Sequence, residues 1–311
     1  MEGVTFSLVI PVFKNQDSLL ELIGELTLIN ISLDRKLEVI FIVDGSPDES
    51  LSILVDGLGN FDFKAKVLVH SRNFGSFAAI RSGLSNASGQ FFAYMAADLQ
   101  EPPSLILLLF KQLEQDECDV VIGVRVSRND PFWTKLFSNI FWGTYKRYIV
   151  RDMPKGGIDV FACNKPFVNE LLRLEESRSS LVALIFWLGF RRKFVDYVRL
   201  ERKYGKSAWS FSAKVDYMMD SIFAFTDLPI KLLIRIGFFG ILFSFSLLLI
   251  TLIFRITGII DVPGYAALMI VILCFGSINL VGFGLVGEYA WRGFENSKKR
   301  PHAIVSKIFK N

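Results

Sequence analysis

The stretch FFAYMAADLQEPPSLILLLF (Phe91–Phe110) decides how this chain is read. It opens with a short apolar run, Phe91–Met95, and passes through a polar turn, Ala97-Asp98-Leu99-Gln100-Glu101-Pro102-Pro103. It then continues as the helical run Leu105–Leu113, with the prolines suited to a first helical turn. Working outward, the same alternation recurs. On the N-terminal side, Phe6–Ile10 runs into Pro11, Leu19–Leu28 has helical spacing, and Val39–Val43 ends at Asp44-Gly45-Ser46-Pro47. Val67–His70 then precedes the helical run Ala78–Leu84, and on the C-terminal side Val120–Gly123 is a fifth strand. Short apolar strands alternating with helices predict an α/β domain with a mainly parallel sheet and helices on both faces. Ligands of such sheets sit beyond the carboxyl ends of the strands, so the polar groups there are the candidate site.

The remainder of the chain has a different character. Of 311 residues, 51% are hydrophobic, and the mean hydropathy is +0.40, high for a soluble domain of this length. No charge interrupts the chain between Arg235 and Arg255, about 19 residues or roughly 28 Å of helix. None interrupts it between Asp261 and Glu288, about 26 residues, enough to span with tilt. With the Pro263-Gly264 link between them, these runs predict a transmembrane hairpin within 232–290. Lys231 and Arg235 precede it, and Arg292, Lys298, Lys299, Arg300, Lys307 and Lys310 follow it, whereas the connecting loop has Arg255 opposed by Asp261. That asymmetry puts both termini, and the domain of residues 1–205, on the cytoplasmic side. Met1-Glu2-Gly3-Val4 moves straight into a strand pattern without the basic and apolar regions of a signal peptide.

Pro131–Val150, aromatic and basic with no acid, reads as a helix in a membrane interface or an ordinary core helix. Residues 206–231 read as juxtamembrane amphipathic helices, with Asp216 and Asp220 on one solvated face. The basic tail 291–311 suits either anionic lipid headgroups or a neighbouring subunit, which leaves a homo-oligomer open. Cys118, Cys163 and Cys274 are odd in number and far apart, against a disulfide framework or a zinc cluster. With His70 and His302 the only histidines, catalysis built on a histidine base is not expected. The formal net charge is +4, and no nucleic-acid partner is indicated.

Taken in order, Pro11-Val12-Phe13, Asp44-Gly45-Ser46, Ser71-Arg72-Asn73-Phe74-Gly75 and Asp98-Leu99-Gln100-Glu101-Pro102-Pro103 resemble the motifs of family 2 glycosyltransferases. These have a GT-A (Rossmann-like) fold, and the likeness is to their polyprenyl- and dolichyl-phosphate sugar synthases. The two-span tail is similar to that of bacterial polyisoprenyl-phosphate (bactoprenol) glucosyltransferases. The resemblance implies an inverting transfer of a hexose, glucose first, from a nucleotide-sugar such as UDP-glucose to a polyisoprenyl phosphate such as undecaprenyl phosphate. It places that reaction at the inner membrane of a bacterium. The alternatives are a GDP-mannose-dependent mannosyltransferase and a non-catalytic relative that tethers a partner at the membrane.

The chemistry suits these residue types. A nucleoside diphosphate leaves well only when its charge is neutralised, and a hard divalent cation, Mg²⁺ or Mn²⁺, does so from oxygen ligands. Asp98 and Gln100 match the family's metal positions, two apart on a segment read as extended and therefore pointing the same way. The resemblance assigns Pro11, Phe13, Asp44, Asn73, Gly75 and Arg202 to the nucleotide-sugar. It assigns Arg125, Lys135, Ser138 and Arg199 to the acceptor phosphate, where guanidinium groups offer bidentate capture. Asp159, in Gly156-Gly157-Ile158-Asp159, is a candidate catalytic base or a group that positions acceptor or sugar. Gly205 and Ser207 belong to a loop expected to close over the donor. Two departures stand out: Val43 and Ala96 occupy positions where the family commonly has Asp.

Overall fold

The computed structural model describes residues 4–125, 143, 146–147, 150, 152, 154, 158–176, 179–204, 211–257 and 264–311. Its first half follows the alternation read from the sequence: β1 (Phe6–Val12), α1 (Gln16–Ser32), β2 (Leu37–Val43), α2 (Ser50–Gly57) and β3 (Lys64–His70). Then come α3 (Ser76–Asn86), β4 (Phe91–Tyr94), α4 (Pro103–Glu114) and β5 (Val120–Arg125). Beyond them lie β6 (Val160–Asn164), α5 (Lys165–Arg173), α6 (Leu181–Trp187) and β7 (Arg192–Tyr197). The chain closes with α7 (Phe211–Phe225), α8 (Leu228–Ile256), α9 (Tyr265–Ser297) and β8 (Val305–Lys310).

The described residues build one eight-stranded sheet, β7-β5-β6-β4-β1-β2-β3-β8. Four pairings are parallel: β1 with β2 and β4, β2 with β3, and β5 with β7. Antiparallel β6 joins β4 to β5, and antiparallel β8 lies along β3. Every residue of β2 is buried, because helices cover both faces and leave no solvated side. One apolar layer packs Leu19, Leu22, Leu26, Leu109 and Phe110 of α1 and α4 against one face. The other packs Ile80 and Leu84 of α3, Phe167 and Leu171 of α5, and Leu184 of α6 against the opposite face. α3 sits so close to β1 that a Cβ on Gly83 would stand 2.3 Å from Val9 Cγ1, so only glycine fits there.

The sheet extends past residue 205. After α9 the tail comes back to the domain, and β8 pairs with the outer edge of β3. The Asn311 side chain accepts from Ala65 N at 2.8 Å and donates to Phe63 O at 3.0 Å, which fastens the end of the strand. The basic tail is therefore in part an edge strand that covers the open side of β3.

α8 carries one stretch, Leu228–Leu247, long and apolar enough to cross a membrane, and none of it is buried. Phe238, Phe239 and Phe243 on α8 and Leu280, Val281 and Phe283 on α9 are all exposed. Asp216 faces solvent as the sequence suggests, but Asp220 does not stay free: it pairs with Arg292 of α9 at 2.8 Å. The interfacial reading of Pro131–Val150 falls, apart from isolated positions, outside the described residues.

Candidate active site

The carboxyl ends of β1, β2 and β4 gather the predicted residues along one edge of the sheet. β1 ends in Pro11 and Val12, with Phe13 just beyond and half-buried. The turn after β2 is tied to this end: Lys14 N donates to Ser46 Oγ at 2.8 Å, and Gln16 N donates to Asp48 Oδ2 at 3.1 Å. Gly45 has φ +61°, and a Cβ there would lie 2.4 Å from Asn73 N and 2.5 Å from the Arg72 carbonyl carbon. The glycine of Asp44-Gly45-Ser46 is thus required twice, by its left-handed backbone and by the loop pressed against it.

Asp44, 3% exposed, organises that loop. Its Oδ1 accepts from Phe74 N and its Oδ2 from Gly75 N, both at 2.8 Å. His70 Nδ1 also lies 2.8 Å from Oδ1, and since a carboxylate only accepts, the ring donates from Nδ1. Nε2 meets Ser82 Oγ at 2.9 Å. Both ring nitrogens of His70 are committed in a buried position. Asn73 is exposed at the tip of the same loop.

The turn after β4 holds the predicted metal ligands, but not on an extended segment. Leu99 between them has φ +58°, a left-handed conformation that costs a leucine about 1–2 kcal/mol. Asp98 and Gln100 point the same way because the chain turns between them, and burial of the Leu99 side chain accompanies the strain. α4 begins at Pro103 with Pro102 as its N-cap, so Asp98 is not simply a helix cap. Arg202 Nη2 stands 2.7 Å from Asp98 Oδ2 and donates to Gln100 Oε1 at 3.0 Å. The two oxygens assigned to a cation therefore converge on a single cationic nitrogen, and this donor set fits a hard divalent ion. Arg199 Nη2 donates to Gln100 Oε1 at 2.7 Å. Among the described residues, no three Asp, Glu, His or Cys side chains form a ready-made metal cluster.

A second group adjoins this one. Arg125, at the end of β5, pairs with Asp159 just before β6. Tyr197, at the end of β7, donates to Asp159 Oδ2 at 3.2 Å, and Arg199 Nη1 is 3.9 Å away. Burial works against the charge on Arg125, yet Asp159 and Tyr197 hold its pKa above the ordinary value. Asp159 is thus already engaged by Arg125, which suits a positioning role better than proton abstraction. Lys135, Ser138, Gly156, Gly157, Gly205 and Ser207 lie outside the described residues.

Sequence reading missed Glu101. It is 1% exposed, with Oε1 4.0 Å from Arg199 Nη2 and Oε2 without a partner among the described residues. Burial first, then the neighbouring Asp98, pushes its carboxyl pKa up to about 7. Nε of Arg125 and Nε of Arg199 are likewise buried and unpartnered. These three buried polar groups lie together along one edge of the sheet. Three arginines, Arg125, Arg199 and Arg202, meet three carboxylates, Asp98, Glu101 and Asp159, there.

Comparison with known proteins identifies the family. The signature described as glycosyl transferase family 2 matches residues 7–173, more than half of the chain. The sequence is 35% identical over 268 residues to a putative glycosyltransferase, CsbB, of Bacillus subtilis (strain 168), covering 86% of this chain and 81% of that protein. It is 32% identical over 305 residues to the undecaprenyl-phosphate 4-deoxy-4-formamido-L-arabinose transferase of Salmonella choleraesuis (strain SC-B67), covering 97% of this chain and 93% of that one. The crystal structure of glucosyl-3-phosphoglycerate synthase from Mycobacterium tuberculosis with phosphoglyceric acid aligns with a TM-score of 0.48 at 18% identity, over 70% of this chain and 80% of that chain. The matched family segment runs from β1 through β5 and Asp159 into α5, while Tyr197, Arg199 and Arg202 lie beyond it; with a relative 35% identical over 86% of this chain, the protein belongs to glycosyl transferase family 2 and is a glycosyltransferase.

Proposed function

We propose that the chain transfers a hexose from a nucleotide-sugar to a polyisoprenyl phosphate such as undecaprenyl phosphate, with inversion, and that the hexose is glucose delivered by UDP-glucose. The observation that carries this reading is the meeting of two sets of groups at one sheet edge. Asp98 and Gln100 converge on one cationic point, and Arg125, Arg199 and Arg202 lie around it. A donor diphosphate and an acceptor phosphate both need such cations. A divalent metal held by Asp98 and Gln100, Mg²⁺ or Mn²⁺, would neutralise the departing diphosphate.

The residues then divide the work. Pro11, Phe13 and the Asn73–Gly75 loop border the place of the nucleotide, and Asp44 keeps that loop in shape from below. Arg202 turns from Asp98 to the diphosphate, while Arg125 and Arg199 take the acceptor phosphate, with Lys135 and Ser138 completing that site. A lipid phosphate is already an anion near neutral pH, so attack on the anomeric carbon needs alignment more than deprotonation. Asp159 supplies the alignment by fixing Arg125 and Tyr197.

The acceptor also accounts for the helices. An isoprenoid gains about 0.8 kcal/mol per buried CH₂ and stays in the bilayer, so the enzyme must be there too. α8 and α9 measure roughly 43 and 50 Å, each longer than a hydrocarbon core of about 30 Å. β7 precedes the helical pair and β8 follows it in the same sheet, so any crossing is made an even number of times. This supports two spans with the sheet and both chain ends on one side, the cytoplasmic side by the charge asymmetry.

The test is transfer of radiolabelled sugar into the lipid phase of membranes holding the protein and a polyprenyl phosphate. UDP-glucose is compared with GDP-mannose, with and without Mg²⁺ or Mn²⁺. Metal-dependent lipid label from UDP-glucose supports the reading. Label from GDP-mannose alone would replace the donor, and no label from folded protein with either donor would refute the proposal as stated.

A further inference from the structure

The cation position is held by a segment that is itself fastened from outside the site. Leu200 N donates to Gln100 O at 2.9 Å, and Gln100 Nε2 donates to Leu200 O at 3.3 Å, so the residues after β7 lie directly on the Asp98–Gln100 turn. Two residues on, Arg202 Nη2 occupies the point shared by Asp98 and Gln100. The next two side chains both reach α1: Lys203 Nζ lies 2.6 Å from Glu21 Oε1, and Tyr204 Oη donates to Glu21 Oε2 at 3.0 Å. Each carboxylate oxygen of Glu21 thus holds one residue of the segment. α1 is in turn pinned to the metal turn, because Ser18 Oγ donates to Ala97 O at 2.7 Å. The frame is closed: turn, α1, Glu21, segment, and back to the turn through Arg202.

We propose that Glu21 is a positioning residue for the donor site, latching Arg199–Tyr204 so that Arg202 rests on Asp98 and Gln100, and that opening this latch favours entry of a divalent cation. The proposal rests on the reading of Asp98 and Gln100 as cation ligands. A guanidinium nitrogen and a metal ion cannot occupy one point, so the two compete. A cation that binds only the released state has an apparent dissociation constant raised by the inverse of the released fraction. Releasing Arg202 also supplies the positive group the donor diphosphate needs, so latch opening, cation entry and diphosphate capture are coupled. The latch is partly exposed, with Lys203 at 62% and Glu21 at 35%, so its effect is a few-fold rather than an absolute gate.

The experiment titrates Mn²⁺ alone into purified full-length protein in detergent, following free and bound Mn²⁺ by electron paramagnetic resonance. Glu21→Ala removes the latch on a partly exposed helix position that alanine suits. It is expected to tighten Mn²⁺ binding about two- to five-fold, the range open to an exposed ion pair. Tyr204→Phe removes one of the two contacts and falls between Glu21→Ala and wild type. Arg202→Gln tightens binding at least as much, and adding Glu21→Ala to it changes nothing further, because the latch acts only through Arg202. Glu21→Ala binding Mn²⁺ no more tightly than wild type, while Arg202→Gln binds more tightly, would overturn the latch and leave the cation site standing. Mn²⁺ binding that survives unchanged in Asp98→Asn would overturn the site itself, and the latch with it.

Discussion

Replacing Gly45 with alanine should weaken nucleotide-sugar binding without unfolding the domain. The φ of +61° at Gly45 costs an alanine about 1–2 kcal/mol. The new Cβ would stand 2.4 Å from Asn73 N and 2.5 Å from the Arg72 carbonyl carbon. Those neighbours are backbone, so no side-chain rotation relieves the contact. Restoring an ordinary separation moves the loop outward by about 1 Å, and a well-packed site charges about 1–3 kcal/mol for an overpacked carbon. The displaced loop carries Phe74 N and Gly75 N, which hold Asp44 at 2.8 Å each. Strain and overpacking together give about 2–5 kcal/mol, most of it local to the loop. The expected result is a donor KM raised roughly ten-fold or more, at about 1.4 kcal/mol per ten-fold, with far-UV circular dichroism unchanged. A variant that keeps the wild-type KM and melting temperature would refute the claim that the Asp44-Gly45-Ser46 turn and the Ser71–Gly75 loop are fitted to each other.

Two further perturbations test other parts of the account. Glu38, 3% exposed, accepts from Ser7 Oγ at 2.9 Å and Ser88 N at 2.8 Å and pairs with Lys66 at 2.7 Å. Burial alone would raise its pKa, but Lys66 and Ser88 outweigh that and hold it below the ordinary 4.5. A depressed carboxyl stabilises the fold above its unfolded pKa and loses that contribution as pH falls through the folded value. Glu38→Gln should therefore cost about 1–3 kcal/mol at pH 7, with the gap to wild type closing in acid; a gap that stays constant in denaturant melts down to acid pH would contradict this. Deleting Val305–Asn311 strips β8 from β3 and removes the bonds of Asn311 to Ala65 and Phe63. At about 1 kcal/mol per net hydrogen bond, the truncated protein should lose roughly 3–5 kcal/mol and aggregate through the bared edge; an unchanged melting temperature would show that β8 is dispensable.

How legible the molecule was in its sequence depended on burial. β1 to β5 are apolar runs between polar turns, and their pattern was enough to place them and the polar turns at their carboxyl ends. β7 reads Arg-Lys-Phe-Val-Asp-Tyr, the mixed pattern of a partly exposed edge strand, and gives no apolar run to find. β8 reads Val-Ser-Lys-Ile-Phe-Lys, without a clean apolar alternation, and pairs with β3 from far along the chain, so composition alone made it a basic tail. In the candidate site, the sequence reading put Asp98 and Gln100 on an extended segment, whereas the chain turns between them at Leu99, since a left-handed leucine cannot be anticipated from residue type. Nor could it show that Arg202, assigned to the donor, rests on Asp98 and Gln100. Glu101 looked like one more polar residue in a turn, and only its burial and its unpartnered oxygen single it out.

Under the proposed function, Asp98, in the turn after β4, serves transfer of a sugar to a lipid phosphate. The most direct test follows product by mass spectrometry of the lipid phase, with purified wild type and Asp98→Asn in vesicles containing undecaprenyl phosphate, a nucleotide-sugar and Mn²⁺. A polyprenyl-phosphate hexose is expected from the wild type and essentially none from Asp98→Asn, although both proteins melt alike. Equal product from the two proteins would contradict it.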